Sequence, residues 1–142
     1  MGLVWIEERP PVWNDDKQRI IGGAPAGVFT LGPFDPGDPL AGDWWRVEDE
    51  GRVVAYGWMD TVWGDAEVLV AVDPADQGRG LGAYVFDQLE REAALRGLRY
   101  LHNVVRATHP DRDEVTAWLE QHGFKASSDG LLRRRVKVPS PS

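Results

Sequence analysis

Residues 70–82 read VAVDPADQGRGLG, an apolar run that leads through a turn into three alternating glycines. The run ends the segment 67–72, which after Glu67 contains only Val, Leu and Ala, as expected of a buried β-strand. Beyond the glycines, apolar residues recur at helical spacing until Gly97, a typical stop signal. These apolar residues are Leu81, Val85, Phe86, Leu89 and Ala93. The stretch therefore predicts a strand, a glycine-rich loop and a helix in succession.

Further strand-like and helix-like segments lie on both sides of this stretch. Strands are expected at residues 3–8, 44–48, 52–59, 67–72, 100–105 and 131–138. Helices are expected at residues 15–21, 81–96 and 111–122. The stretch 22–42 is rich in Gly and Pro and is expected to be a loop. This order predicts antiparallel strands followed by a βαβ crossover, hence an α/β fold with a mixed sheet and helices packed on it.

The composition fits one domain. The chain has 142 residues, of which 42% are hydrophobic, enough for a single core. We expect one domain over residues 1–138 and a disordered tail at 139–142. No apolar run approaches the roughly 20 residues that cross a bilayer, and the N-terminus carries Glu7, Glu8 and Arg9 where a secretory signal is apolar. A cytoplasmic location is therefore expected.

Charge and cysteine content argue against several function classes. Sixteen Lys and Arg against 23 Asp and Glu give a net charge of −7, which repels nucleic-acid phosphates and acidic membranes. We expect neither as a partner; a cationic partner such as an amine fits better, although an acidic surface also serves solubility alone. The chain has no Cys, which excludes a thiol nucleophile. His102, His109 and His122 lack metal-ligand spacing, so no metal is expected.

The glycine-rich loop has the chemistry of an anion site. Glycines let the main chain approach a ligand, and the first N–H groups of a helix have no partner within it, so a pyrophosphate fits there. A P-loop is excluded because no Gly-Lys-Ser/Thr follows. A dinucleotide fingerprint matches formally at Gly78-x-Gly80-x-x-Ala83, but residues 73–77 separate it from its strand. A glycine-rich helix start that binds nothing stays open as the alternative.

The motif QGRGLG at residues 77–82, preceded by residues 70–74, resembles the GNAT superfamily of N-acetyltransferases. Gly123-Phe124, after the last predicted helix, resembles the closing motif of that superfamily. The likeness covers about residues 44–124, and the first forty residues match poorly. It implies a GNAT-like fold, with a central mixed six- to seven-stranded β-sheet and helices on both faces. It also implies acetyl-CoA as a co-substrate.

The resemblance further implies which residues hold the coenzyme. Main-chain N–H groups of the glycine loop would bind the pyrophosphate. The exposed edge of the preceding strand would pair with the pantetheine arm and help to polarise the thioester carbonyl. Arg79 would either reach an outer phosphate or lie solvated at the surface. The implied coenzyme-binding residues are Val70, Ala71, Val72, Gln77, Gly78, Arg79, Gly80, Leu81, Gly82 and Ala83.

For catalysis the resemblance implies a carboxylate early in the central strand. Glu67 is the candidate general base for the amine, and Asp60, at the end of the preceding strand, is the reserve. Strand alternation leaves open whether Glu67 faces the active site, because it lies one residue closer to the glycine loop than expected. The Tyr that many relatives carry before the terminal Gly-Phe is replaced here by Trp118, so the general acid stays unassigned. Tyr56 and Tyr84 are expected to be packing residues.

The predicted function is transfer of an acetyl group from acetyl-CoA to an amine, by direct attack in a ternary complex. The acceptor is expected to be a small-molecule or protein amine, and Phe29 and Phe34 of the long loop are candidates to line its pocket. The alternative is a non-catalytic module with the same fold that binds coenzyme A or a protein partner. Acetylation of charged tRNA is disfavoured by the net charge of −7. A homodimer paired through the last strand stays open.

Overall fold

The computed structural model describes residues 2–22, 34–62, 64–103, 112–126 and 132–136. Seven strands and three α-helices lie in these ranges. The strands are β1 Leu3–Glu7, β2 Asp43–Asp49, β3 Arg52–Val62, β4 Asp65–Val72, β5 Tyr100–Asn103, β6 Lys125–Ala126 and β7 Leu132–Arg135. The helices are α1 Asp15–Ile20, α2 Leu81–Leu95 and α3 Arg112–Gln121, with a 3-10 turn at Pro74–Asp76. None of these helices combines the length and the apolarity needed to cross a membrane.

The strands form one mixed sheet in the order β1-β2-β3-β4-β5-β7-β6. Of the strand pairs described, β4 and β5 run parallel and the others antiparallel. The mixed α/β sheet predicted from the sequence is thereby confirmed. Strand β6 is not among the predicted strands, because a segment of two residues is too short to show an alternation of apolar and polar side chains. The tail 139–142, the loop residues 23–33 and the predicted strand residues 104–105 lie outside the described residues.

One face of the sheet is covered by α2 and α3. The predicted apolar stripe of α2 is buried in the main core, where Val85, Leu89 and Ala93 are fully inaccessible to solvent. Trp45 and Met59 from the sheet and Phe124 after α3 join the same cluster. Burial of such side chains contributes roughly 1.5–3 kcal/mol each to stability. The main core therefore fixes the start of α2 against the central strands.

The opposite face is covered by α1 and the N-terminal segment. Its core is aromatic and contains residues from the segment before α1, from α1 and from three strands. Its buried members are Trp13, Ile20, Ile21, Trp44, Val53, Tyr56 and Ala71. Asn14 caps α1 by accepting a hydrogen bond from the Lys17 N–H at 2.9 Å. This second face, called here the α1 face, carries the polar residues discussed below.

Candidate active site

Among the described residues, strands β4 and β5 pair over three positions. Their register joins Asp65 to Tyr100, Ala66 to Leu101 and Glu67 to His102. On its other side β4 stays paired with β3 as far as Val72. Residues 69–72 therefore have β3 on one side and no strand of the described residues on the other.

The open side of β4 presents main-chain groups of alternate residues. The Asp73 N–H donates to the Val54 carbonyl on β3 at 2.9 Å, which fixes the alternation. Residues two apart in a strand direct their N–H and C=O groups to the same neighbour. Ala71 therefore bonds towards β3, whereas Val70 and Val72 direct their main-chain groups to the open side. Two of the three β4 residues expected to bind the coenzyme thus lie on an accessible strand edge.

The glycine loop ends at a helix whose first turn has no side-chain cap. Gly80 is the N-cap of α2 with φ +76°, a conformation that disfavours any residue with a Cβ. The Tyr84 N–H donates to the Gly80 carbonyl, and no side chain of the described residues caps the N–H groups before it. The first turn of α2 also carries no acidic residue. This helix end is therefore electropositive and has N–H groups to spare for an anion.

An ion-pair network fixes the segment between β4 and the glycines. Asp73 accepts hydrogen bonds from the Ala75 N–H at 2.9 Å and from Arg19 Nε at 3.0 Å, and lies 3.1 Å from Arg52 Nη2. The Ala75 N–H, with Arg19, holds the pKa of the Asp73 carboxyl below its usual range, although burial opposes this. Arg52 also pairs with Asp76 at 3.1 Å. The network ties the loop to α1 and to the β2–β3 hairpin.

Glu67 and Asp60 lie side by side on the α1 face. Asp60 is opposite Glu67 across β3 and β4, and Glu67 is level with His102 across β4 and β5. Paired residues lie on the same face of a sheet, with Cβ atoms about 4.5–5.5 Å apart in antiparallel pairs. The same face carries Leu69 and Ala71 of the second core. Glu67 therefore lies on the α1 face, at the last described position where β4 pairs with β5.

His102 occupies the next position in this row. Its Nδ1 atom is buried and makes no hydrogen bond within the described chain. On the far side of His102 the register places Arg133 of β7, which also lies 3.8 Å from Asp65. Side chains from four adjacent strands thus form one polar row, Asp60, Glu67, His102 and Arg133.

An apolar wall adjoins the two carboxylates. Trp58 is opposite Leu69, two residues along the strands from Asp60 and Glu67 and on the same face. The Trp58 indole N–H donates to the Ala41 carbonyl at 3.1 Å. Phe34 packs on Trp13 with ring centroids 5.2 Å apart, at the edge of the second core. Phe29, the other residue expected at the acceptor pocket, lies outside the described residues.

The remaining aromatic candidates are packing residues. Tyr56 is fully buried, and burial raises the pKa of its phenol strongly. Tyr84 packs edge-on against Trp5 at 6.4 Å. Trp118 packs on Phe86 and approaches the glycine loop, since its ring would lie 3.2 Å from a Cβ at Gly82.

Residues 41–126, more than half of the chain, match the family model described as "Acetyltransferase (GNAT) domain". The chain belongs to the GNAT family. Solved GNAT structures have the same fold, among them YhhK of Escherichia coli bound to coenzyme A. That structure matches with a TM-score of 0.67 and 18% identity over 95% of this chain and 99% of YhhK.

Two further GNAT structures match over about two thirds of this chain. The ribosomal-protein-S18-alanine N-acetyltransferase of Escherichia coli has a TM-score of 0.55 and 23% identity, covering 68% of this chain and 70% of its own. The phosphinothricin acetyltransferase of Sinorhizobium meliloti, solved with acetyl-CoA, has a TM-score of 0.56 and 17% identity, covering 71% and 65%. No curated protein sequence matches significantly.

His102 is the residue of this polar row that the sequence did not predict. The spacing of the histidines bears only on metal ligation, and among the described residues no group of three or more His, Asp or Glu is placed to hold a metal ion. The available signal was strand alternation, because Leu101 is fully buried in the main core and its neighbour must face the other way. That His102 is level with Glu67 depends on strand register, which no local pattern reports.

Proposed function

We propose that the protein is an acetyl-CoA-dependent N-acetyltransferase. The observation that carries the proposal is the open edge of β4 beside the uncapped start of α2. An extended chain of amides and an anion fit these two features together, and a pantetheine arm joined to a pyrophosphate has that composition. Solved GNAT structures that hold coenzyme A or acetyl-CoA support this reading.

The coenzyme would be held mainly by the main chain. Val70 and Val72 would exchange hydrogen bonds with the pantetheine amides, and the N–H groups of residues 78–83 would bind the pyrophosphate, with Gln77 at the entry to the loop. This assignment suits an acidic protein, because a helix end attracts a phosphate without cationic side chains. The thioester would then lie beside Glu67 and Asp60 on the α1 face.

The reaction would be a direct attack without a covalent enzyme intermediate. The amine nitrogen forms a bond to the thioester carbon while the C–S bond breaks and the thiolate leaves. Glu67, with Asp60 as its neighbour, would attract the ammonium form of the acceptor and assist its deprotonation. The apolar wall of Trp58 and Leu69 would contact the body of the acceptor, together with Phe34 and Phe29. We place this activity in the cytoplasm, in one domain over residues 1–138, with a small-molecule or protein amine as acceptor.

Calorimetric titration with acetyl-CoA tests the coenzyme site. Gly80→Glu adds a carboxylate and backbone strain at the start of α2, so we expect it to abolish binding. Gly97→Glu is the matched control, because Gly97 has a similar φ of +73° and no neighbour within 4 Å but follows the other end of α2. Binding by the native protein and the control, and not by Gly80→Glu, is the expected result. Equal binding by all three would reject the assignment of the loop.

Release of free thiol from acetyl-CoA in the presence of amines tests the transfer. A panel of spermidine, lysine amide and an alanine-initiated peptide covers polyamines, side-chain amines and protein N-termini. Acetylation of any of them, seen as a mass gain of the amine, supports the enzyme. Binding of acetyl-CoA without turnover of any amine would favour the non-catalytic module instead.

A further inference from the structure

We propose that His102 accepts the proton of the attacking amine and that Glu67 stabilises the imidazolium. The inference rests on the proposed transferase function and concerns how that site deprotonates its substrate. His102 is the last β5 residue whose pairing with β4 is described, and the open edge of β4 at Val70 and Val72 lies further along the same strand. A thioester seated on that edge would therefore have the imidazole beside it.

The unpartnered ring nitrogen gives the first argument. Buried polar atoms in folded proteins almost always have a hydrogen-bond partner. His102 Nδ1 is buried and has no partner among the described residues, so no hydrogen bond within them accounts for the position of this nitrogen. Leu101, on the opposite face of the strand, supplies the packing at this position. Binding of a polar ligand or of a proton would explain why this position holds a histidine, whereas packing would not.

The charged groups around His102 give the second argument. Glu67 faces it from β4, so a carboxylate stands level with the ring where an imidazolium would form. Arg133 faces it from β7, and Asp65 lies close enough to Arg133 to offset that positive charge. Asp60 lies one strand further away. Carboxylates therefore outnumber the guanidinium among the charged groups near this row.

The acid–base chemistry gives the third argument. An imidazole has a reference pKa of about 6.5 and a glutamate carboxylate about 4.3, so the imidazole is the stronger base by roughly a hundredfold. A general base works best with a pKa near the operating pH. A carboxylate next to an imidazole stabilises the positive charge that forms when the ring takes up a proton. The histidine is therefore the better proton acceptor, and the carboxylate is its positioning and stabilising partner.

Every proton of the reaction is accounted for when the acceptor is an ammonium ion. The ammonium gives one proton to His102, and the freed nitrogen attacks the carbonyl carbon of acetyl-CoA. The C–S bond breaks, and the second proton of the nitrogen goes to the departing thiolate. The imidazolium then releases its proton to water. One ammonium and one acetyl-CoA give one amide, one coenzyme A thiol and one solvent proton.

The pH dependence of acetyl transfer tests the proposal, with the same amine panel and the variants His102→Gln and Glu67→Gln. We expect His102→Gln to lower kcat at pH 7 by about a hundredfold or more while the Kd for acetyl-CoA stays unchanged. The deficit should shrink as the pH approaches about 10, where the acceptor is already deprotonated without a base. Glu67→Gln should move the apparent pKa of the ascending limb downwards. His122→Gln is the matched control on the other face and should keep the native profile.

Three results would overturn the proposal, and they are distinguishable. If the native protein acetylates an amine and His102→Gln does so within a few fold with the same pH profile, His102 is not the base and the transferase function stands. If the native protein binds acetyl-CoA and acetylates no amine in the panel, the proposal falls together with the transferase function. A uniform loss at every pH in His102→Gln would indicate a structural role and would also reject it.

Discussion

Arg79 donates a 2.8 Å hydrogen bond to Asp76, the buried carboxylate three residues before it in the chain. The same guanidinium donates to Asp49 at 2.7 Å, and these two acceptors hold its pKa above the usual range. Two carboxylates offset its positive charge, so little attraction remains for a phosphate. We therefore expect Arg79→Gln to weaken acetyl-CoA binding by about threefold at most, a small change on the affinity scale. Calorimetric titration of Arg79→Gln and Gly80→Glu with acetyl-CoA measures the change in affinity. A loss of affinity approaching that of Gly80→Glu would show that Arg79 binds the phosphate.

The lowered pKa of Asp73 predicts that the free energy of unfolding falls in acid. The pKa of the Asp73 carboxyl is lowered in the folded state, chiefly by the hydrogen bond from the Ala75 N–H. The ordinary pKa of this carboxyl is 3.8. The native state is therefore stabilised at every pH at which the carboxyl of the unfolded chain would be ionised. That contribution is complete above about pH 5 and is lost as the pH falls through the lower folded pKa. Asp73→Asn should cost about 1–3 kcal/mol at neutral pH, as expected when a buried acceptor is lost, and progressively less in acid.

Urea unfolding of native protein and Asp73→Asn between about pH 3 and pH 7 measures this difference. Glu120→Gln, at an exposed position of α3, controls for the loss of one carboxylate. A stability gap between native and Asp73→Asn that is constant across the whole range would contradict the assignment.

The sequence predicted the sheet well because most strands bury one face. Alternation fails where the sheet is irregular, and β3 contains such a place. Val47 pairs with Ala55 and Glu48 with Val53, so Val54 is an extra residue, and both Val54 and Ala55 face the main core. No local pattern reveals that bulge.

In the candidate site, the sequence indicates where the glycine loop lies but not which residues form the polar row. The glycine loop is one continuous segment, so its residues are adjacent in the sequence and in space. The polar row instead joins four strands, and its composition depends on register. The face of Glu67 and the presence of His102 beside it were therefore beyond the reach of sequence reasoning.

Lys17 is a buried cation on which the second core depends. Its side chain is fully buried, and Nζ lies 2.5 Å from Glu8 Oε1 and 2.9 Å from the Val12 carbonyl, close to the rings of Trp44 and Tyr56. Lys17→Met would leave Glu8 buried without its main partner, at a cost of about 3–5 kcal/mol. Adding Glu8→Gln should recover part of this loss because the unpaired charge disappears.

Urea denaturation of the single and double variants measures the coupling between Lys17 and Glu8. Lys125→Met, which replaces an exposed lysine of β6, should change the free energy of unfolding by less than about 0.5 kcal/mol. If Lys17→Met were as mild as this control, the pair would contribute nothing measurable to stability.

Asp60 is exposed beside Glu67, and this position predicts a role in attracting the acceptor. Two carboxylates directly opposite each other repel, so a cationic ligand is stabilised between them. Asp60→Asn removes one charge and should raise the KM for spermidine by about twofold to fivefold, the size expected of an exposed charge pair. The KM for acetyl-CoA should stay unchanged, because the coenzyme is assigned to the edge of β4 and the glycine loop. Initial rates at low and high salt measure the effect, which screening should reduce. An equal rise in both KM values would instead indicate that the substitution disturbs the sheet.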